Sequence, residues 1–245
     1  IFLVSYSIFS VIKKETTFDI SRANYFAGHS LGEYSALACA NVINFKETLK
    51  LLKTRGNAMQ NAVPHNEGGM VAVLGETIEN IEEIIQSNKN NFTCFLANDN
   101  SNGQVVLSGK IDDIEKFINV LKELKIKNIK LPVSAPFHCV LMNPATKIMK
   151  KELSEIKFSI PNNIIVSNVT AEPSNNPEKI RRLLIDQIEK PVRWRESIIN
   201  MIKLGNNKFI EIGPGKVLSG LVKRIDRNVE LIQVNNIDDL NKLKN

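Results

Sequence analysis

Gly28-His29-Ser30-Leu31-Gly32 is a Gly-x-Ser-x-Gly run, and its surroundings give it meaning. Ala23-Asn24-Tyr25-Phe26-Ala27 reads as a short apolar strand over residues 23–28, and Glu33-Tyr34-Ser35-Ala36-Leu37-Ala38-Cys39-Ala40 reads as a helix over 31–40. A serine held between a strand and a helix suits a nucleophile elbow, a turn sharp enough to lift its hydroxyl off the backbone. Gly28 and Gly32 are expected to flank it because bulky neighbours do not fit. The helix that starts there directs unpaired backbone N–H groups at the same point, where an oxyanion can be held. The plain alternative is a glycine-rich turn whose serine caps a helix.

The rest of the composition bounds the function. A chain of 245 residues suits one large domain, or one domain carrying an insertion. With 43% hydrophobic and 24% charged residues it reads as an ordinary soluble protein. Aromatic residues make up only 6%, which leaves no stacking platform for nucleic acid. The net charge of +6 favours an acidic partner, although a composition rich in Lys, Asn and Ile produces such a charge by itself. Cys39, Cys94 and Cys139 stand far apart without a Cys-x-x-Cys pair, as suits a reducing cytoplasm. The three histidines form no metal-ligand spacing. Residues 1–12 are mostly apolar but too few to span a bilayer, and they are expected to form a buried helix over 1–14. The chain opens on Ile1, with little room for strand material before the elbow, so a missing front end is expected.

A second helix is expected from Phe45 to Val63, with Phe45, Leu49, Leu52, Met59 and Ala62 as its buried stripe. Arg55 falls on that stripe. It either snorkels outward or needs an acidic partner, and a substrate carboxylate fits its planar fork. Next comes a strand at Met70–Leu74, a helix at Thr77–Gln86, strands at Phe92–Ala97 and Gln104–Leu107, a helix at Ile111–Leu124 and a strand at Ile126–Leu131. That βαββαβ order is ferredoxin-like and reads as a small domain, residues 66–131, inserted into a larger one formed by 1–65 and 132–245. The Asn98–Gly103 run is expected to be the turn between its middle strands, and Pro173–Pro177 a loop. Outside the insertion strands alternate with helices, which predicts an α/β fold with a mainly parallel, helix-covered sheet.

Serine needs a base, usually histidine. His29 adjoins Ser30, but neighbouring side chains on a tight turn diverge, and His65 lies in a polar turn. His138 ends the irregular Leu131–His138 segment, where site residues often sit, and is preferred.

These residues resemble a known family. Gly28-His29-Ser30-Leu31-Gly32-Glu33-Tyr34-Ser35-Ala36 is similar to the active-site signature of malonyl-CoA:acyl carrier protein transacylases and of the acyltransferase domains of fatty-acid and polyketide synthases. The resemblance continues through Arg55-Gly56-Asn57-Ala58-Met59-Gln60, Asn98 to Gly109, Ala135-Pro136-Phe137-His138, Asn143-Pro144, Pro191-Val192-Arg193-Trp194 and Glu211 to Leu218, in order. It implies a hydrolase-like α/β fold. Ser30 would carry the acyl group and His138 would be its base, a dyad without a triad aspartate. Arg55 would hold the malonyl carboxylate, and the Leu31 N–H would be one oxyanion donor. The Gln187 carbonyl would orient His138, a main-chain contact for which residue type should matter little. His29, Met59, Asn100 and Phe137 would line the pocket; Phe137 would favour malonyl over methylmalonyl, a methyl group being worth about 1–3 kcal/mol.

The implied reaction moves a malonyl group from malonyl-CoA to the phosphopantetheine thiol of acyl carrier protein, by a ping-pong route in fatty-acid biosynthesis. The motifs do not separate that pathway from polyketide synthesis. No metal or bound cofactor is implied, no nucleic acid and no membrane, and the protein would be a cytoplasmic monomer. Lys216, Lys223, Arg224 and Arg227 would face an acidic carrier, or simply form a solvated helix face. The family's leading Gly-x-Gly-x-Gln, source of the second oxyanion donor, is absent, and losing one donor costs about 10²–10³ in rate. This chain's own activity and solubility are therefore in question, whereas the full-length product should be active. A serine esterase, or a carrier-docking fragment with a dead site, is the competing expectation.

Overall fold

The computed structural model describes residues 1–243, so the last two residues of the expected large-domain range lie outside it. Helix α1 (Phe2–Glu15) buries Phe2, Phe9 and Ile12, spaced to share one face, while Leu3, Val4 and Val11 stay exposed. It is amphipathic rather than wholly buried. Strand β1 is shorter than expected, Tyr25–Phe26. The Ala23 N–H still closes the preceding 3₁₀ turn onto Ile20, and Gly28 already belongs to the elbow. Helix α2 (Leu31–Cys39) follows, then α3 (Phe45–Gln60).

The buried face of α3 differs from the expected stripe. Thr48, Leu51, Arg55, Ala58 and Met59 are buried, whereas Phe45 and Leu49 are exposed. Phe45 instead stacks at the rim on Phe2 and Tyr6 of α1. Arg55 and Met59 of the expected stripe are buried, and Leu52 and Ala62 pack partly against the core; only its N-terminal part is misplaced, where Thr48 and Leu51 take the core positions.

The insertion has the expected order: β2 (Gly68–Leu74), α4 (Ile78–Ser87), β3 (Cys94–Ser101), β4 (Gln104–Lys110), α5 (Ile111–Glu123) and β5 (Lys127–Lys130). Its four strands run antiparallel in the order β5-β2-β4-β3, the ferredoxin-like arrangement. Val71, Val73, Val105 and Leu107 meet Ile81, Ile114, Phe117 and Leu121 in one core. Asn98–Ser101 is not a turn. It belongs to β3, whose pairing with β4 shifts register twice, and only Asn102-Gly103 turns. Asn98, Asp99 and Ser101 are buried polar residues, which disguises the strand.

Beyond the insertion come α6 (Asn143–Ser154), β6 (Ile164–Val166), β7 (Pro173–Ser174, inside the expected loop), α7 (Pro177–Asp186), β8 (Val192–Arg193), α8 (Trp194–Lys203), β9 (Lys208–Ile212), α9 (Val217–Ile225) and β10 (Glu230–Val234). β1 pairs parallel with β6 and β9 parallel with β10, so the large part is mainly parallel as expected. Among the described residues these strands form two patches, with α1 packed across both through Phe9 and Ile12.

A strand pairing and an ion pair help tie the insertion to the large part beside the elbow. β8 pairs with β3 as a fifth strand. Arg195 of α8 donates from Nε to both carboxylate oxygens of the buried Asp99, each at 2.9 Å. Among the described residues no helix is long and apolar enough to cross a membrane.

Candidate active site

Ser30 joins β1 to α2 with φ 51° and ψ −104°, a left-handed conformation that a side chain tolerates only when its surroundings impose it. Gly28 is what permits the turn: a Cβ there would lie 2.0 Å from the Gly32 carbonyl oxygen. Gly32 carries no such demand, since a Cβ on it would meet nothing within 4 Å. Its backbone, not its missing side chain, is what Gly28 must accommodate. Leu31 is the first residue of α2, so its N–H has no intrahelical acceptor and lies next to Ser30. The Ser30 N–H is engaged elsewhere, donating to Asn168 Oδ1 at 2.7 Å.

His138 lies 108 residues further on and also has positive φ, 60°. Its Nε2 is 2.9 Å from Ser30 Oγ, and its Nδ1 is 2.8 Å from the Gln187 carbonyl oxygen. A carbonyl only accepts, so Nδ1 carries the proton and Nε2 accepts from the Ser30 hydroxyl. The local sequence explains why that carbonyl is available. Gln187 caps the C-terminus of α7, and the residue four positions on, which would donate to it in a continuing helix, is Pro191. The negative end of α7 also favours positive charge on the His138 imidazole. Burial first, and then the Arg55 charge, push the His138 pKa down to about 3, so the imidazole is held neutral.

Arg55 is only 7% exposed, which excludes snorkelling. Its Nη2 donates to Ser30 Oγ at 2.9 Å and to Gln187 Oε1 at 3.0 Å, its guanidinium lies 5.4 Å from the centre of the Tyr34 ring, and its Nε is buried without a partner. Among the described residues no carboxylate forms an ion pair with it. A buried cation lacking a carboxylate, with one N–H on Ser30 Oγ, is the main electrostatic feature of the site.

Beneath the elbow sits a polar plug of Glu33, Asn168 and Gln187, all fully buried or nearly so. Asn168 donates from Nδ2 to the Gly28 carbonyl at 2.8 Å, and its backbone N–H donates to Glu33 Oε2 at 3.2 Å. Gln187 donates from Nε2 to Glu33 Oε2 at 2.7 Å, to the Ser30 carbonyl at 3.1 Å and to Asn168 Oδ1 at 3.3 Å. The side chain at 187 is therefore fully engaged, contrary to the expectation that residue type matters little there. Burial raises the Glu33 pKa to about 7, opposed by the bonds from Gln187 and Asn168 and by the Arg55 charge.

His29 turns away from Ser30 toward the insertion; its Nε2 is 2.7 Å from Asn100 Oδ1 and its ring is 5.8 Å from that of Trp194. Burial lowers its pKa, with the Asn100 bond opposing. Phe137 is partly buried against both the helical core and the insertion's sheet. Met59 is buried in the helical core. His65 is exposed in a turn. Among the described residues no group of His, Cys, Asp and Glu could hold a metal ion.

The sequence matches the acyl transferase domain family over residues 16–238. It is 37% identical to the malonyl CoA-acyl carrier protein transacylase of Haemophilus influenzae over 241 residues, 98% of this chain and 77% of that protein. It is 42% identical to the transacylase of the same name from Salmonella typhimurium over 200 residues, 81% of this chain and 65% of that protein. Among solved structures it resembles a malonyl-transacylase in complex with its type II PKS acyl-carrier protein, with a TM-score of 0.94 and 36% identity, covering 99% of this chain and 78% of that one.

Proposed function

The chain belongs to the acyl transferase domain family, among the malonyl CoA-acyl carrier protein transacylases, and from that premise we propose that it moves a malonyl group from malonyl-CoA to the phosphopantetheine thiol of an acyl carrier protein through an ester on Ser30. His138 Nε2 takes the Ser30 proton as Oγ attacks the thioester carbonyl. The oxyanion that forms is met by the Leu31 N–H. When the C–S bond breaks, the imidazolium returns its proton to the departing thiolate and CoA leaves as the thiol. The carrier thiol then gives its proton to His138 and attacks the Ser30 ester. Collapse of that intermediate returns the proton to Ser30 Oγ and leaves malonyl on the carrier.

Arg55 gives this scheme its acyl selectivity, and its lack of a carboxylate partner is the observation that carries the proposal. The malonyl carboxylate supplies that partner through a charge-assisted, two-point contact. Neutralising Arg55 also removes the largest charge effect that depresses His138, second only to burial, so the base strengthens when the correct acyl group is bound. The His138 Nδ1–H meets a carbonyl rather than a carboxylate, which argues against an esterase of the Ser-His-Asp type.

A carrier partner is supported by the carrier complex of the related malonyl-transacylase, and Lys216, Lys223, Arg224 and Arg227 offer charge for an acidic one. Phe137 beside the base disfavours a branched acyl group. Residues 66–131 act as the inserted unit that supplies Asn100 to His29. Coenzyme A enters only as part of the substrate, and the setting is cytoplasmic fatty-acid biosynthesis by a monomer. The test is to mix the full chain with malonyl-CoA and a phosphopantetheinylated carrier and follow the carrier's mass. The expected result is malonyl-carrier forming faster than free malonate. Malonate release with an unlabelled carrier would make the protein an esterase.

A further inference from the structure

We infer that the Gln187 side-chain amide is a positioning residue that aims the Arg55 guanidinium, acting independently of the Gln187 main-chain contact to His138; this rests on the proposed role of Arg55. The amide can sit only one way round. On one side it faces three acceptors: Glu33 Oε2, the Ser30 carbonyl and Asn168 Oδ1, at 2.7, 3.1 and 3.3 Å. On the other it faces a donor, Arg55 Nη2, at 3.0 Å. Flipping it would set an oxygen against three oxygens and an N–H against a guanidinium, with Gln187 itself fully buried. The acceptors therefore fix Nε2, and Nε2 fixes where Oε1 points.

What Oε1 presents to Arg55 is also specific: an acceptor without charge. It holds the guanidinium in place beside Ser30 while leaving its positive charge free for a substrate carboxylate. A glutamate here would fill that role with its own charge and compete with the substrate. An aliphatic side chain would leave a second buried Arg55 donor unpaired, in addition to Nε, which already lacks a partner.

The test uses Gln187→Met and Gln187→Glu in the full chain, each keeping the main-chain carbonyl at 187. Acylation of Ser30 is timed by intact mass with malonyl-CoA and, separately, with acetyl-CoA, which has no carboxylate for Arg55. A hydrogen bond to a charged group is worth about 1.5–3 kcal/mol, so Gln187→Met is expected to reduce the malonyl-over-acetyl preference about 10- to 100-fold, chiefly through the malonyl-CoA KM. Gln187→Glu should lose at least as much. In an Arg55→Ala background Gln187→Met should have no further effect on the preference. Equal loss of both acyl groups, in whichever variant folds, would mean that the side chain supports only the elbow and would overturn the inference. A parent chain that labels equally with malonyl and acetyl would overturn the role of Arg55, and the inference with it.

Discussion

Replacing Glu33 with glutamine should change how stability depends on pH, in a calculable direction. Glu33 is 1% exposed and burial raises its folded pKa from 4.5 to about 7. Between those values the folded protein holds a proton that the unfolded chain has released. The contribution of this group is therefore complete below pH 4.5, declines as pH rises and is lost above pH 7. At about 1.4 kcal/mol per unit, the whole window is worth about 3 kcal/mol, and roughly 2–3 kcal/mol of it falls between pH 5 and pH 8. Glutamine keeps the shape and the accepting oxygen for Gln187 Nε2 and the Asn168 N–H but cannot ionise. Comparison of parent and Glu33→Gln cancels the other titrating groups, His138 and Asp99 included. For a chain of this size about 1 kcal/mol moves Tm by roughly 2–4 °C. The Tm of the variant should thus gain roughly 5–10 °C on that of the parent between pH 5 and pH 8, read by differential scanning calorimetry. Parallel Tm curves over that range would refute the burial argument.

Arg195→Met strands the Asp99 carboxylate, 1% exposed, in the interior and should cost about 3–5 kcal/mol in urea unfolding, with Asp99→Asn/Arg195→Met recovering much of it. A loss below about 1 kcal/mol would mean that β3 and β8 hold the insertion without the ion pair. Arg55→Met removes a positive charge beside His138 while keeping most of the volume, so an NMR titration of the imidazole should give a pKa above the parent's value of about 3. An unchanged or lower value would contradict the coupling between Arg55 and the base.

The elbow was legible because it depends on local sterics: strand, Gly28, serine, helix. The insertion was legible because its two helices are strongly amphipathic and β2 and β4 are largely apolar. Legibility failed where polar residues are buried. Thr48 occupies the core face near the start of α3, so the apolar residues Phe45 and Leu49 misplace that part of the face, whereas Arg55 falls on it as expected. Asn98–Ser101 has turn composition but is fixed as a strand by β4 on one side and β8 on the other. Glu33 looks like an ordinary first-turn acid of a helix. Its burial comes from Asn168 and Gln187, more than 130 residues away, and no local pattern announces such partners. Pro191, four residues after Gln187, is a local signal of the carbonyl that holds His138, because it leaves that carbonyl without its helical donor.

The most direct measurement of the central claim is the intact mass of the full chain after brief mixing with malonyl-CoA, beside Ser30→Ala and Arg55→Ala. One malonyl adduct on the parent is predicted, absent from Ser30→Ala and much reduced in Arg55→Ala. An adduct that persists in Ser30→Ala, or that forms on the parent equally well from acetyl-CoA, would contradict it.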